Sequence, residues 1–264
     1  MKDDWAARTP NPPGPPSSRE GEGGRAAGAG CDGSPREGEE GRERAGDATQ
    51  AARPLLRGWP HVVGAVGAVP VLAALLRQSG EDPPRAVSML VYGLTMIGLL
   101  SVSASYHIRA WRPRVRAALR ALDHASIFLL IAGTYTPIAF NVLAGAERAA
   151  VLATVWALAL VGAACSVTTL RLPRWARTGL YVGMGWVALI PAPALVRALP
   201  LGAIAGLTTG GVLYTLGAVV YARRWPDPAP RVFGFHEVFH LFVIAGAATF
   251  AAVIWIWIVP YPRA

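Results

Sequence analysis

Two histidines four residues apart, His236 and His240, stand in the stretch HEVFH, directly ahead of an apolar run that reaches Ile258. Side chains at i and i+4 share one helical face, so a helix here aims both imidazoles the same way. The stretch also satisfies H-E-x-x-H, in which two histidines bind zinc and the glutamate acts as base of a protease. The protease reading goes no further. After Glu237 the chain has no acid, after His240 no histidine, and Val243 stands where the extended motif needs glycine. HEVFH is therefore read as H-x-x-x-H, with Glu237 a chance match.

A third imidazole comes from SASYH, where Ser103 and His107 are again four apart, and a carboxylate comes from Asp123 in LDHAS. Three imidazoles with a fourth position open to water form the donor set of a catalytic zinc, since a structural site more often fills that position with protein. His107, His236 and His240 are thus candidate ligands. Other readings stay open for each: a histidine at a helix end is commonly interfacial, Asp123 can favour the positive dipole of the helix it opens, and Ser103 can bond back to its own helix. His124 and Glu237 lie one position from a favoured residue, turned about 100° away on a helix, and are not expected to ligate. His61 is read as an interfacial or packing histidine.

What must position these groups is visible in the apolar pattern. From Leu55 onward, seven apolar stretches each approach the roughly 20 residues that a helix needs to cross a bilayer; they cover 58–76, 86–106, 123–143, 149–170, 178–196, 201–221 and 237–259. Prolines 60 and 70 interrupt the first and prolines 191 and 193 the fifth, which a membrane helix tolerates when neighbours take up the freed carbonyl. The expected fold is an all-α integral membrane protein, a seven-transmembrane helix bundle over residues 53–264. Residues 1–52, with stretches such as NPPGPPSSREGEGG and a single aromatic residue, form an expected disordered low-complexity tail, too poor in apolar side chains to offset the entropy of ordering.

Charge sets the orientation. The tail has seven Lys/Arg against ten Asp/Glu, so the basicity of the chain belongs to its apolar part. Eleven arginines fall in the connections after spans two, four and six, among them Arg109, Arg116, Arg120, Arg177 and Arg224, against four in those after spans one, three and five. Short cytoplasmic loops accumulate such residues, so the amino terminus is expected in the cytoplasm and the carboxyl terminus outside, in a multi-pass protein of the cell membrane. No short apolar core of a cleavable signal precedes Leu55, in keeping with that orientation. Because the arginines alternate with apolar spans, their expected partner is anionic lipid and not nucleic acid. Cys31 and Cys165 support neither a disulfide framework nor a thiolate metal site.

In this topology the end of span two and the starts of spans three and seven meet on the cytoplasmic side, which can bring His107, Asp123, His236 and His240 into one cluster. The stretch IAGTYTP in span three lies near mid-membrane. Pro137 deprives the Gly133 carbonyl of its usual partner, threonine hydroxyls can cover it, and a kink with tight packing is expected there.

S-x-x-x-H at 103–107, LDHASIFLLIAGTYTP at 122–137 and H-x-x-x-H at 236–240, in that order, resemble the hemolysin III family, the bacterial branch of the progestin and adipoQ receptor superfamily. The resemblance covers roughly residues 53–264. It implies zinc held by His107, His236 and His240, a water held by Asp123, and Ser103 near the reacting group. It also implies kinship with alkaline ceramidases, which hydrolyse a lipid amide, while the family's name implies cytolysis. Three functions follow as expectations. One is a zinc-dependent membrane hydrolase of a lipid amide or ester, in which Asp123 orients the water and accepts its proton and Ser103 donates to the developing oxyanion. Another is a membrane-state sensor or receptor for a lipid ligand, with structural zinc. The last is a cytolytic pore, for which spans four to seven lack a polar face.

Overall fold

The computed structural model describes residues 54–168, 173–229 and 231–262. The expected disordered tail 1–52, Cys31 and Arg171 lie outside the described residues, as does the side chain of Arg174. Every helix and turn described below belongs to the unit Ala45–Ala264.

The regular structure among the described residues is helical, apart from an isolated bridge between Ala229 and Phe233. Eight α-helices follow one another: α1 Trp59–Gln78, α2 Pro83–Ile108, α3 Pro113–Val142, α4 Gly145–Val167, α5 Arg174–Gly185, α6 Ala192–Ala198, α7 Leu201–Arg223 and α8 Phe235–Val253. A 3-10 turn, Trp186–Leu189, joins α5 to the short α6, and a π-turn, Ile254–Ile258, extends α8. Six of these helices are long and apolar enough to cross a membrane; α5 and α6 are bent by 51° and make a seventh crossing only if the bent pair counts as one span. Side chains such as Val63, Val66, Leu94, Leu160, Val161 and Leu216 point outward and stay exposed. So much outward apolar surface belongs to a protein dissolved in lipid, where the backbone must satisfy itself inside helices.

The two proline-interrupted stretches differ, and one helix start changes. Pro70 does not break α1, which runs through it, whereas Pro191 stands at the bend between the 3-10 turn and α6. A proline near the first turn of a new helix loses no intrahelical bond, so a chain that must bend does so there. The third apolar stretch was expected to open at Asp123, but α3 begins at Pro113. Asp123 therefore lies almost three turns into the helix, beyond the reach of its N-terminal dipole.

α1 to α4 form a sequential run of antiparallel neighbours, α8 packs on α7 and α1, and α5 touches α3, α4 and α7. Small residues permit the close approaches. A Cβ on Gly133 of α3 would overlap the side chain of Thr95 on α2, and one on Gly210 of α7 would overlap Phe250 of α8, the arrangement by which helices associate in lipid. The IAGTYTP stretch is tightly packed as expected, but its threonines act elsewhere: Thr134 donates to the Leu130 carbonyl and Thr136 to that of Ala132, so neither caps Gly133. Tyr92, fully buried, donates to the Ala247 carbonyl at 3.2 Å and ties α2 to α8.

Candidate metal centre

Three local devices bring the starts of α1 and α8 to the end of α2. Gly58 precedes α1 at φ 87°, left-handed backbone that favours glycine. A Cβ there would meet Ile108 Cγ1 at 2.8 Å and His107 Cβ at 3.0 Å, so glycine is what lets α1 start against the last turn of α2. The amides of Leu55 and Leu56 donate to the carbonyls of Arg231 and Val232, fastening the approach to α1 onto the loop before α8. The start of α8 is capped by side chains on either side: the Gly234 amide donates to Glu237 Oε2 and the Phe235 amide to Asp227 Oδ1, each at 2.8 Å.

Glu237 is thereby accounted for without metal chemistry. It is fully buried, caps its own helix, and lies 3.9 Å from Arg57 Nε. His124 also turns away from the cluster, with its Nδ1 3.1 Å from Arg177 Nη1.

The cluster itself contains His107 at the end of α2 and His236 and His240 on the first two turns of α8. One ring nitrogen of each lies within 4.8 Å of those of the other two, and the Nε2 atoms of His107 and His236 are 3.2 Å apart. His107 and His240 are buried and His236 is half-buried. A tetrahedral ion with Zn–N bonds of about 2.0–2.1 Å places its ligand nitrogens about 3.3 Å apart, so one pair is already at that spacing. His240 Nδ1 is buried without a hydrogen-bond partner, a state that costs about 1–3 kcal/mol unless something else binds the ring. The donor set and the orphaned nitrogen both fit a metal ion.

Asp123 reaches the same place from α3. Its Oδ2 is 3.9 Å from His107 Nε2, and its side chain is 14% exposed, open enough to meet water. Ser103, one turn before His107, is buried and within hydrogen-bonding reach of the Asp123 carboxylate. The five residues singled out in the sequence are thus together. His61, expected to be an interfacial or packing residue, is also there: it is 3% exposed and its ring stacks on His240 at 3.9 Å between centroids. Sequence reasoning missed it because a Pro-His pair at the start of an apolar span carries no spacing signal, and it missed the Arg57–Glu237 pair because the partners are 180 residues apart.

Behind the cluster a cavity of about 540 Å³ runs through the bundle, from Asp123 and the histidines past Ile127, Leu130 and Leu207 to Leu143 and Val151 at the opposite end. Its size and mainly apolar wall are those of a small-molecule site.

A family model described as haemolysin-III related matches residues 49–251, more than half of the chain. The chain belongs to this family. Among curated relatives it is 31% identical over 202 residues to Hemolysin-3 of Bacillus cereus, covering 76% of this chain and 89% of that one. It is 28% identical over 190 residues to the Hemolysin-3 homolog of Bacillus subtilis strain 168, covering 71% and 86%. It is 24% identical over 190 residues to the monocyte to macrophage differentiation factor of Homo sapiens, covering 69% and 75%. Membership in this family and the apolar helices make it a multi-pass membrane protein.

Proposed function

We propose that this haemolysin-III protein is a zinc-dependent hydrolase of a lipid amide or ester, contributing to membrane lipid homeostasis. The observation that carries the reading is the Asp123 carboxylate set beside three clustered imidazoles at the head of an apolar cavity. His107, His236 and His240 would hold the ion. When bound, zinc supplies a Lewis acid that polarises a carbonyl and acidifies water near neutral pH.

The remaining work falls to the chain. The cavity takes the acyl tail, and its apolar wall excludes water from all but the cluster end. Asp123 orients the attacking water and accepts its proton as the water oxygen bonds to the carbonyl carbon; when the carbon–nitrogen or carbon–oxygen bond breaks, the proton leaves with the amine or alcohol. Ser103, buried beside Asp123, holds the carboxylate in that orientation and would donate to the oxyanion once Asp123 is protonated.

In the proposed orientation the bent α5–α6 pair completes a seventh span, the amino terminus is cytoplasmic and the carboxyl terminus is outside. The excess of arginines in the connections beside the cluster supports this. A reporter active only outside the cytoplasm should work when fused after Arg263 and fail when fused within residues 112–120; the reverse would move the cluster to the outer face.

The activity is tested with Asp123→Asn, which keeps the shape and removes the charge. On a panel of ceramides and phospholipids in detergent and liposomes, followed by mass spectrometry, the wild type should release product. The variant should lose at least about 100-fold in rate while keeping its metal. Turnover that persists in the variant refutes the role of Asp123, and a metal-loaded wild type that releases nothing favours the sensor with structural zinc.

A further inference from the structure

Of the five histidines, three form the cluster and His124 meets Arg177. His61 remains, and its surroundings are not those of a packing residue. It is 3% exposed, and one face of its ring is stacked on His240 at an interplanar angle of 20°. Both of its ring nitrogens are buried with no hydrogen-bond partner among the described residues. A phenyl ring would stack as well without leaving two polar atoms unpaired. Each such atom weighs against the folded state by a factor of about ten or more, and buried polar groups of this kind are ordinarily met by water, an ion or a ligand.

The ring lines the cavity at its cluster end, beside His107, Asp123 and His240. Its nitrogens fall outside the group of three whose donors lie within 4.8 Å of one another, so it stands next to the candidate metal site and not in it. A neutral imidazole offers one donor and one acceptor. A secondary amide offers the complement, a carbonyl that accepts and an N–H that donates, whereas an ester only accepts and would leave one nitrogen of the ring unpaired.

We infer that His61 binds the polar head of the lipid in the cavity and favours an N-acyl amide over the matching ester. It is a specificity-determining residue, beside the metal ligands and Asp123. The inference rests on the lipid-hydrolase reading in taking an acyl lipid as the occupant.

The test uses the purified full-length protein and two probes that differ only in one linking group, N-ethylpalmitamide and ethyl palmitate. Affinity is read by displacement of a fluorescent fatty-acyl probe, with product release and metal content measured on the same samples. The wild type should bind the amide about tenfold more tightly than the ester. His61→Phe should lower amide affinity about tenfold, to the level of the ester, and leave ester affinity and metal content unchanged. His61→Asn, which restores a donor and an acceptor, should recover most of the preference. If the Phe variant does not fold, His61→Leu against His61→Asn makes the same comparison.

Equal amide affinity in wild type and His61→Phe, equal loss of both probes, or loss of metal from the variant would overturn the inference. Amide preference without product release leaves His61 standing and removes the hydrolase. Product release without amide preference does the opposite, and binding of neither probe removes both.

Discussion

The two ends of the helix bundle treat their polar side chains differently. At the end where α2 begins, Arg85 donates through both terminal nitrogens to the Val259 and Tyr261 carbonyls, at 2.5 and 2.9 Å, closing the last turn after α8. Asp82 caps α2 through the Arg85 amide, and Arg148 Nε donates to the Leu143 carbonyl at the end of α3. These side chains meet the orphan carbonyls and amides that every helix end presents. At the other end, imidazoles face one another, and both ring nitrogens of His61 and the Nδ1 of His240 have no such partner. The first end is arranged for stability, since Arg85, Asp82 and Arg148 each answer a backbone group. The second keeps polar atoms for something that is not the chain, and such atoms are tolerated where a ligand repays them.

The comparison breaks most visibly if the cluster end is emptied. His236→Ala with His240→Ala should remove the bound metal, from about one ion per chain to less than about a tenth by elemental analysis, because two of three donors go together. Arg85→Met at the opposite end should leave metal content unchanged and cost about 1–3 kcal/mol of stability, the worth of hydrogen bonds from a charged donor, read as a lower Tm in detergent. If Arg85→Met lost the metal, the two ends would not be separable. The smallest effect is expected for Glu237→Gln. The Gln oxygen can still accept from the Gly234 amide, and Arg57, 3.9 Å away and 29% exposed, can turn to water, so any cost falls on stability and not on the metal. Metal and turnover should persist. Loss of turnover with metal retained would make Glu237 a base and revive the protease-like reading of HEVFH.

The two ends were unequally legible in the sequence. Apolar length made the spans plain, and the i, i+4 spacing of Ser103 with His107 and of His236 with His240 placed each pair on one helical face, because helical periodicity is local. Asp123 was legible as a candidate but not in its setting. The basic PRVRAALRAL segment that lengthens α3 ahead of it reads as loop to hydropathy, although its composition is helical. The Ser103 contact with Asp123 and the stacking of His61 on His240 are products of tertiary packing. They depend on Gly58 and on the tie between Leu55, Leu56 and the loop before α8, contacts of long sequence separation that no local pattern encodes. The bend at Pro191 was visible as an interruption, but whether α5 and α6 act as one span depends on their neighbours.

The central claim is that the imidazole cluster holds zinc. Elemental analysis of wild-type protein, purified without chelator and without added metal, should find about one zinc per chain. Protein that is folded and carries no zinc would contradict it.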